Sequence, residues 1–151
     1  MRQPQIIQKP SRKKIAGLFC TSQMSNAKWR KMFVMLGRHN ANVGLQQAII
    51  KFIDDENEHV IDAPDQQHMR TPWAYIDLHQ GPVAFGAIEW IEYPRMAVFE
   101  RSTPNGKGRI SPREVAQDID KAEAVLRSLG QYPLQRTERG LRIIGYVRQS
   151  Q

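Results

Sequence analysis

The chain has 151 residues, of which 40% are hydrophobic and 25% charged, ordinary values for a globular protein of one domain. Its single cysteine, Cys20, excludes an internal disulfide, so a reducing cytoplasm is the expected location. No apolar run approaches the roughly 18 residues of a membrane span, and the run at residues 15–20 is shorter than a signal-peptide core of roughly 7 to 15 residues. We expect neither secretion nor membrane association.

The formal net charge of +7 is concentrated in the first 23 residues, which hold five basic and no acidic side chains. From Met24 onward, 17 basic residues stand against 15 acidic ones. We therefore predict a basic flexible N-terminal extension over residues 1–23 and a single α+β domain over residues 24–151. The sequence leaves open whether the native start is Met1 or Met24.

The extension has three interpretations: an arm that binds nucleic acid, a disordered extension, or upstream sequence translated ahead of a start at Met24. The last two are favoured, because five charges without interleaved aromatic side chains are a weak signal for nucleic acid. The nucleic-acid alternative rests on Lys9, Arg12, Lys13 and Lys14.

The first predicted elements of the domain are a helix and a hairpin. Ser25 or Asn26 can cap a helix that runs through Leu36, with Gly37 placed to end it. Residues 47–53 are β-branched and aromatic, and residues 59–62 can return as their hairpin partner after an acidic turn. That turn lacks the spacing of a calcium loop, so we predict no metal or cofactor there.

The stretch from Trp73 to Pro94 reads as two strands joined by a Gly81-Pro82 corner and a link that ends near Gly86. Polar and apolar residues alternate in the first strand, which predicts that one face packs on the core and the other is exposed to solvent. Both faces of the second strand are largely apolar, as expected of a central strand.

The C-terminal third is predicted to hold a strand or edge at residues 95–101, a loop from Ser102 to Gly108, a helix and a hairpin. Ser111-Pro-Arg-Glu114 has the form of a capping box for a helix that Gly130 terminates. Residues 133–138 and 141–147 then read as two strands around a tight turn. This order predicts an α+β fold with a mostly antiparallel sheet of about five strands and two helices packed on one face.

The best catalytic candidates are Asp77 and His79, which lie on one face of the first central strand and could pair as a carboxylate and an imidazole. No activated nucleophile or further metal ligand accompanies them, so an ordinary surface pair is favoured. Glu89 and Glu92 are expected on opposite faces of the second strand. There they would be exposed, or one would pair with an arginine such as Arg142.

Aromatic side chains of the central strands can form an exposed patch of the kind that protein interfaces use. The predicted partner-binding residues are Trp73, Tyr75 and Tyr93, whereas Trp90 is expected in the core. We therefore predict a non-enzymatic protein that binds another protein, in one form an immunity or antitoxin-like partner. The alternative is a nucleic-acid-associated protein that uses its N-terminal arm, and an enzyme built on Asp77 and His79 ranks third.

The order of short motifs resembles a family of small bacterial proteins known only as a domain of unknown function. The motifs are Asn26-Ala-Lys-Trp-Arg30, Gly81-Pro82, Ile88-Glu-Trp-Ile-Glu92, and Leu141-Arg-Ile-Ile-Gly-Tyr146. The resemblance covers roughly residues 26–147, and the sequence departs from the family pattern in its longer loop from Ser102 to Gly108. It implies a compact cytoplasmic bacterial protein and supplies no catalytic residues.

Overall fold

The computed structural model describes residues 7–70, 75–78, 81–102 and 109–149. In these residues no helix is both long and apolar enough to cross a membrane. The helices are α1 Arg12–Leu18, α2 Asn26–Arg38, α3 Asn40–Val43 and α4 Ile119–Leu129, with short 3-10 helices at Gln66–His68 and Phe85–Ala87. The strands are β1 Phe19–Ser22, β2 Gln47–Phe52, β3 Glu58–Asp62, β4 Met69–Arg70, β5 Tyr75–Leu78, β6 Gly81–Ala84, β7 Ile88–Pro94, β8 Met96–Ser102, β9 Arg109–Ala116, β10 Leu134–Arg136, β11 Gly140–Ile144 and β12 Tyr146–Arg148.

The main sheet has five antiparallel strands in the order β10-β11-β7-β2-β3. The predicted α+β class and five-stranded antiparallel sheet are confirmed. All seven residues of β7 are buried, which explains why its sequence is largely apolar on both faces. The strand predicted as central therefore lies in the middle of the sheet.

Helices α2 and α4 contact each other and share one core with the sheet side chains Ile50, Ile91 and Ile143. As predicted, Ser25 caps α2, its Oγ accepting a hydrogen bond from the Lys28 backbone N–H at 3.1 Å. The apolar stripes of both helices face the core, which contains Trp29, Met32, Phe33, Leu36, Ile119, Ala122 and Leu126. Both helices thus cover the same face of the main sheet.

The start of α4 was predicted wrongly. Residues 111–114 lie in β9, which pairs with β8 across Phe99 and Arg113, and α4 begins only after Asp118. Asp118 is the actual cap, accepting a hydrogen bond from the Lys121 backbone N–H at 3.0 Å. The Ser-Pro-Arg-Glu pattern satisfies a local capping rule, but pairing with β8 determines its conformation.

The Gly81-Pro82 corner is also corrected, because these two residues begin β6 and pair with Leu78 and Asp77 of β5. Gly81 has φ +123°, a conformation that favours glycine. Pro82 lacks a backbone donor but is tolerated because β6 is an edge strand of the three-stranded sheet β4-β5-β6. The loop predicted at residues 102–108 falls almost wholly outside the described residues.

Residues 12–22 form a helix and a strand, where a flexible extension was predicted over residues 1–23. Ser11 caps α1, and β1 pairs antiparallel with β12. The Phe19 ring lies 5.2 Å from that of Tyr146 in a small apolar cluster that includes Ile53. The segment folds because its few apolar residues have a place to pack beside β12. Residues 1–6 lie outside the described part of the chain.

Candidate functional site

The face of the main sheet opposite α2 and α4, called the open face below, carries two buried carboxylates. Glu89 and Glu92 are 5% and 0% exposed, so the first of the two alternatives, exposed glutamates on opposite faces of the strand, is wrong. The β2–β7 ladder shifts register between Lys51 and Phe52, opposite residues 88–90. This irregularity lets Glu89 reach Lys51, which lies on the same face of β2 as Ile49, the residue paired with Glu92.

Three side chains surround Glu92, and the two arginines among them compensate its charge. Its Oε1 accepts hydrogen bonds from Thr137 Oγ1 at 2.8 Å and Arg142 Nε at 3.1 Å, and its Oε2 lies 2.6 Å from Arg139 Nε. The predicted pairing of a glutamate with Arg142 is confirmed. Arg139 also binds Glu58, and this hydrogen-bonded guanidinium holds the pKa of Glu58 below its usual value.

Arg142 also covers Trp90, its guanidinium carbon lying 3.7 Å from the ring centroid. Trp90 is therefore buried, as expected, but on the open face and beneath a charged side chain. Glu89 is paired in turn with Lys51 at 3.2 Å and Arg148 at 2.6 Å. Because each buried carboxylate has two cationic neighbours, this arrangement is an ion-pair network that holds charges in place and offers no free general base.

An apolar groove lies beside this network, between the open face and β8. Its walls are Ile49 and Val60 from the sheet and Met96 and Val98 from β8, around a volume of about 660 Å³. We call it the β8 groove. Val60 is 61% exposed, and Met96 and Val98 are each 44% exposed. Three of the five large apolar side chains that are exposed among the described residues thus line one groove.

Two buried glutamines connect β8 and the end of β9 to the main sheet, Gln47 by bonding to β8 and Gln117, which follows β9, by bonding to the sheet backbone. The Gln47 amide donates to the Val98 carbonyl at 2.9 Å and accepts from the Val98 N–H at 3.0 Å. The Gln117 amide accepts from the backbone N–H groups of Gln46 and Gln47 and donates to the carbonyls of Gln47 and Pro94. These side chains replace ladder bonds where the strands diverge, so the groove has a defined floor. Nothing in the sequence marks either glutamine as buried.

The groove rim is charged, with Arg95 and Arg139 next to Glu100 and Glu138. The described part of β8 and β9 forms its own two-stranded sheet, and residues 103–108 between them are not described. A two-stranded hairpin is marginally stable by itself in water, so its anchoring to Gln47 and Gln117 matters for the shape of the groove.

Of the three residues predicted to form an aromatic surface, only the Tyr93 side chain lies within the described part of the chain, and it is buried. Tyr93 is 1% exposed and belongs to the core beneath the helices, because its strand direction points it away from the open face. Trp73 lies outside the described residues, and only the backbone of Tyr75 is described, in β5. Within the described residues, the exposed apolar surface of the β8 groove comes from Val60, Met96 and Val98, aliphatic residues that the sequence analysis did not single out.

The two weak catalytic candidates, Asp77 and His79, are described only in part. Asp77 is half-buried on β5, and His79 lies outside the described residues. No group of three or more histidine, cysteine, aspartate or glutamate side chains suited to a metal ion occurs in the described part of the chain.

The four basic residues of the nucleic-acid alternative differ in their contacts with the folded chain. Lys14 forms an ion pair with Asp54, and the Lys9 side chain packs against Gly86. Arg12 lines a shallow pocket with Phe19 and Tyr146, and Lys13 is exposed. Two of the four therefore have structural contacts of their own.

Residues 11–150 match the model of a family described as a family of unknown function, DUF6678, and the chain belongs to that family. The predicted relationship to a domain of unknown function is confirmed. The match begins at the Ser11 cap of α1, so the family domain includes the N-terminal helix and strand that the resemblance left out. No curated protein and no solved structure matches the chain.

Proposed function

We propose that this member of the DUF6678 family is a non-enzymatic binding protein whose partner protein docks in the β8 groove. The observation that carries the proposal is the clustering of Val60, Met96 and Val98 in one groove with a charged rim; they are three of the five large apolar side chains exposed in the described ranges. An apolar centre surrounded by polar groups is the usual anatomy of protein interfaces.

The energetics favour a macromolecular partner over a small apolar ligand. Each of the three exposed side chains is about half covered already, so covering the rest contributes roughly 1 kcal/mol apiece. Association itself costs about 4 to 15 kcal/mol, so the groove alone cannot hold a partner tightly. A protein can in addition contact the rim residues Arg95, Glu100 and Glu138, and it can reach the roughly 1,000 Å² that a stable interface buries.

The ion-pair network supports a binding role for the adjoining surface. Arg139 belongs both to that network and to the groove rim, held at 2.6 Å from the buried Glu92. A cation fixed in this way loses little side-chain entropy on binding. The network thus pre-organises one side of the groove.

The test uses charge substitutions inside and outside the groove. We expect tagged full-length chain, purified from its native host, to retain a protein partner identified by mass spectrometry. Val60→Arg and Val98→Arg should each abolish this recovery, because a guanidinium would occupy the apolar centre. Val147→Arg is the matched control, since Val147 is a strand residue with 42% exposure that lies outside the groove. The proposal would be refuted if the Val60→Arg, Val98→Arg double variant still recovered the same partner. Circular dichroism would verify that this variant is folded.

The finer form of the proposal is an immunity or antitoxin-like role, in which the partner is a toxin. It predicts that the recovered partner has an activity of its own that the wild-type chain inhibits in a purified mixture. The Val60→Arg variant should leave that activity intact. A partner without toxic activity would reject the immunity role and leave the binding role standing.

A further inference from the structure

Tyr93 lines a small pocket on the other side of the sheet, and its buried hydroxyl has no hydrogen-bond partner among the described residues. Tyr93 extends from β7 beneath the end of α2, and its Oη has no hydrogen bond within the described residues. Tyr93 lines a pocket between the last turn of α2 and the segment 63–65. Because buried hydroxyl groups almost always have a hydrogen-bond partner, an unmatched one calls for an explanation.

The size of the pocket limits what can enter it. Its volume is about 50 Å³, whereas one water molecule needs roughly 10–15 Å³ and pockets for drug-sized ligands span roughly 300–1,000 Å³. The volume of the pocket therefore exceeds that of one water molecule and suits a ligand of a few non-hydrogen atoms.

The residues that line the pocket determine which chemical groups a ligand must carry. Leu36, Leu45 and Pro64 supply apolar contacts, while Asp65 supplies a carboxylate. The pocket also lies at the C-terminal end of α2, where backbone carbonyls carry partial negative charge. Burial raises the pKa of Tyr93, so its hydroxyl remains neutral and can accept a hydrogen bond from a cation.

Asp65 uses one carboxylate oxygen within its own segment, and its Oδ2 makes no hydrogen bond with the described residues. Its Oδ1 accepts from the Gln67 N–H at 2.8 Å and lies 3.1 Å from His68 Nδ1. The carboxylate is 41% exposed, so it stands at the mouth of the pocket while Tyr93 forms the buried end. A ligand with a short alkyl group and several N–H donors matches this arrangement.

We propose that the Tyr93 pocket is a binding site for a short primary ammonium, which donates hydrogen bonds to Tyr93 Oη and to Asp65 while its alkyl group packs on Leu36, Leu45 and Pro64. This site is separate from the β8 groove and does not depend on the proposed docking of a protein there.

The experiment titrates methylammonium chloride into the full-length chain and follows the amide ¹H–¹⁵N signals of Gly37 and Ala63, which line the pocket. We expect saturable shifts of both signals. Methanol, a neutral molecule with the same number of non-hydrogen atoms, and sodium chloride at equal ionic strength should leave them in place. Tyr93→Phe and Asp65→Asn should each weaken binding about tenfold, the scale of one hydrogen bond to a charged group.

If Tyr93→Phe disturbs the core, Asp65→Asn still provides a decisive test. The asparagine lies at the surface, and its amide oxygen can still accept a hydrogen bond from the Gln67 N–H, so this variant should fold normally. The proposal is overturned by the absence of saturation with methylammonium, by equal binding of methanol, or by unchanged binding in Asp65→Asn. It is also overturned if Tyr93→Phe folds with raised thermal stability and binds methylammonium as the wild type does, since the hydroxyl would then be merely unsatisfied.

Discussion

The two faces of β7 bury their side chains by different chemistry. Toward the helices, Ile91 and Tyr93 are enclosed by apolar side chains of α2 and α4. Toward the open face, Glu92 is equally buried but is surrounded by the cations Arg139 and Arg142. Hydrophobic burial is non-directional, whereas a buried charge depends on each partner remaining in position. The helix-covered face should therefore dominate stability, and the open face should be the one that responds to charge substitution and pH.

The largest effect should come from the helix-covered face. Phe33 is fully buried and its ring stacks near that of Phe85, with 6.0 Å between centroids. Phe33→Ala should lower the free energy of unfolding by about 3–5 kcal/mol, because it removes the ring and leaves a cavity. Urea denaturation at neutral pH measures this, with the half-buried Phe99→Ala of β8 as the control. Equal losses for the two variants would contradict the assignment of the main core to the helix side.

The next effect should come from the centre of the open face. Glu92→Gln keeps the shape of the side chain but leaves Arg139 and Arg142 without a buried anion. We expect a loss of about 2–3 kcal/mol, below the roughly 3–5 kcal/mol of a fully buried pair because both arginines reach solvent. Urea denaturation of Glu92→Gln, Arg142→Gln and the double variant provides the cycle. Additive losses would mean that the two residues do not interact energetically.

The same contrast separates what the sequence could predict from what it could not. The cap at Ser25 and the apolar stripe of α2 follow local rules, so that helix was predicted with its correct start. Ser111 to Glu114 satisfies the same local rules but pairs with β8, and no local pattern reveals a partner strand. The open-face position of Glu89 depends on a register shift between two strands, and the role of Gln117 depends on four backbone groups distant in sequence. The apolar residues on both faces of β7 thus indicated a central strand, whereas the ion-pair network and the β8 groove required the tertiary structure.

A smaller effect should distinguish stacking from charge pairing at Trp90. Arg142→Lys retains the positive charge near Glu92 but loses the planar guanidinium that covers the indole ring. We expect a loss of roughly 1 kcal/mol and a red shift of tryptophan fluorescence as water reaches the ring. Arg127→Lys, on the exposed side of α4 and paired with Glu123, serves as the control and should change neither. An unchanged emission maximum in Arg142→Lys would show that Arg142 does not shield Trp90.

The smallest expected effect is on the acid dependence of the free energy of unfolding, and it arises at the edge of the open face. The hydrogen-bonded Arg139 holds the pKa of Glu58 below its usual value of 4.5 in the folded protein. A depressed folded-state pKa contributes stability above the unfolded-state value, and that contribution disappears as pH falls through the folded-state pKa. Because both side chains are about 40% exposed, the contribution should stay below about 1 kcal/mol. Urea denaturation from pH 6 to about pH 3 should therefore show that the free energy of unfolding falls less steeply with acid in Glu58→Gln than in the wild type.

Glu138→Gln is the control at the same rim, since no ion pair of Glu138 occurs among the described residues, and it should follow the wild-type curve. A Glu58→Gln curve parallel to that of the wild type would mean that the Arg139 pair adds nothing to folding, and that Arg139 is held in the groove rim by Glu92 alone.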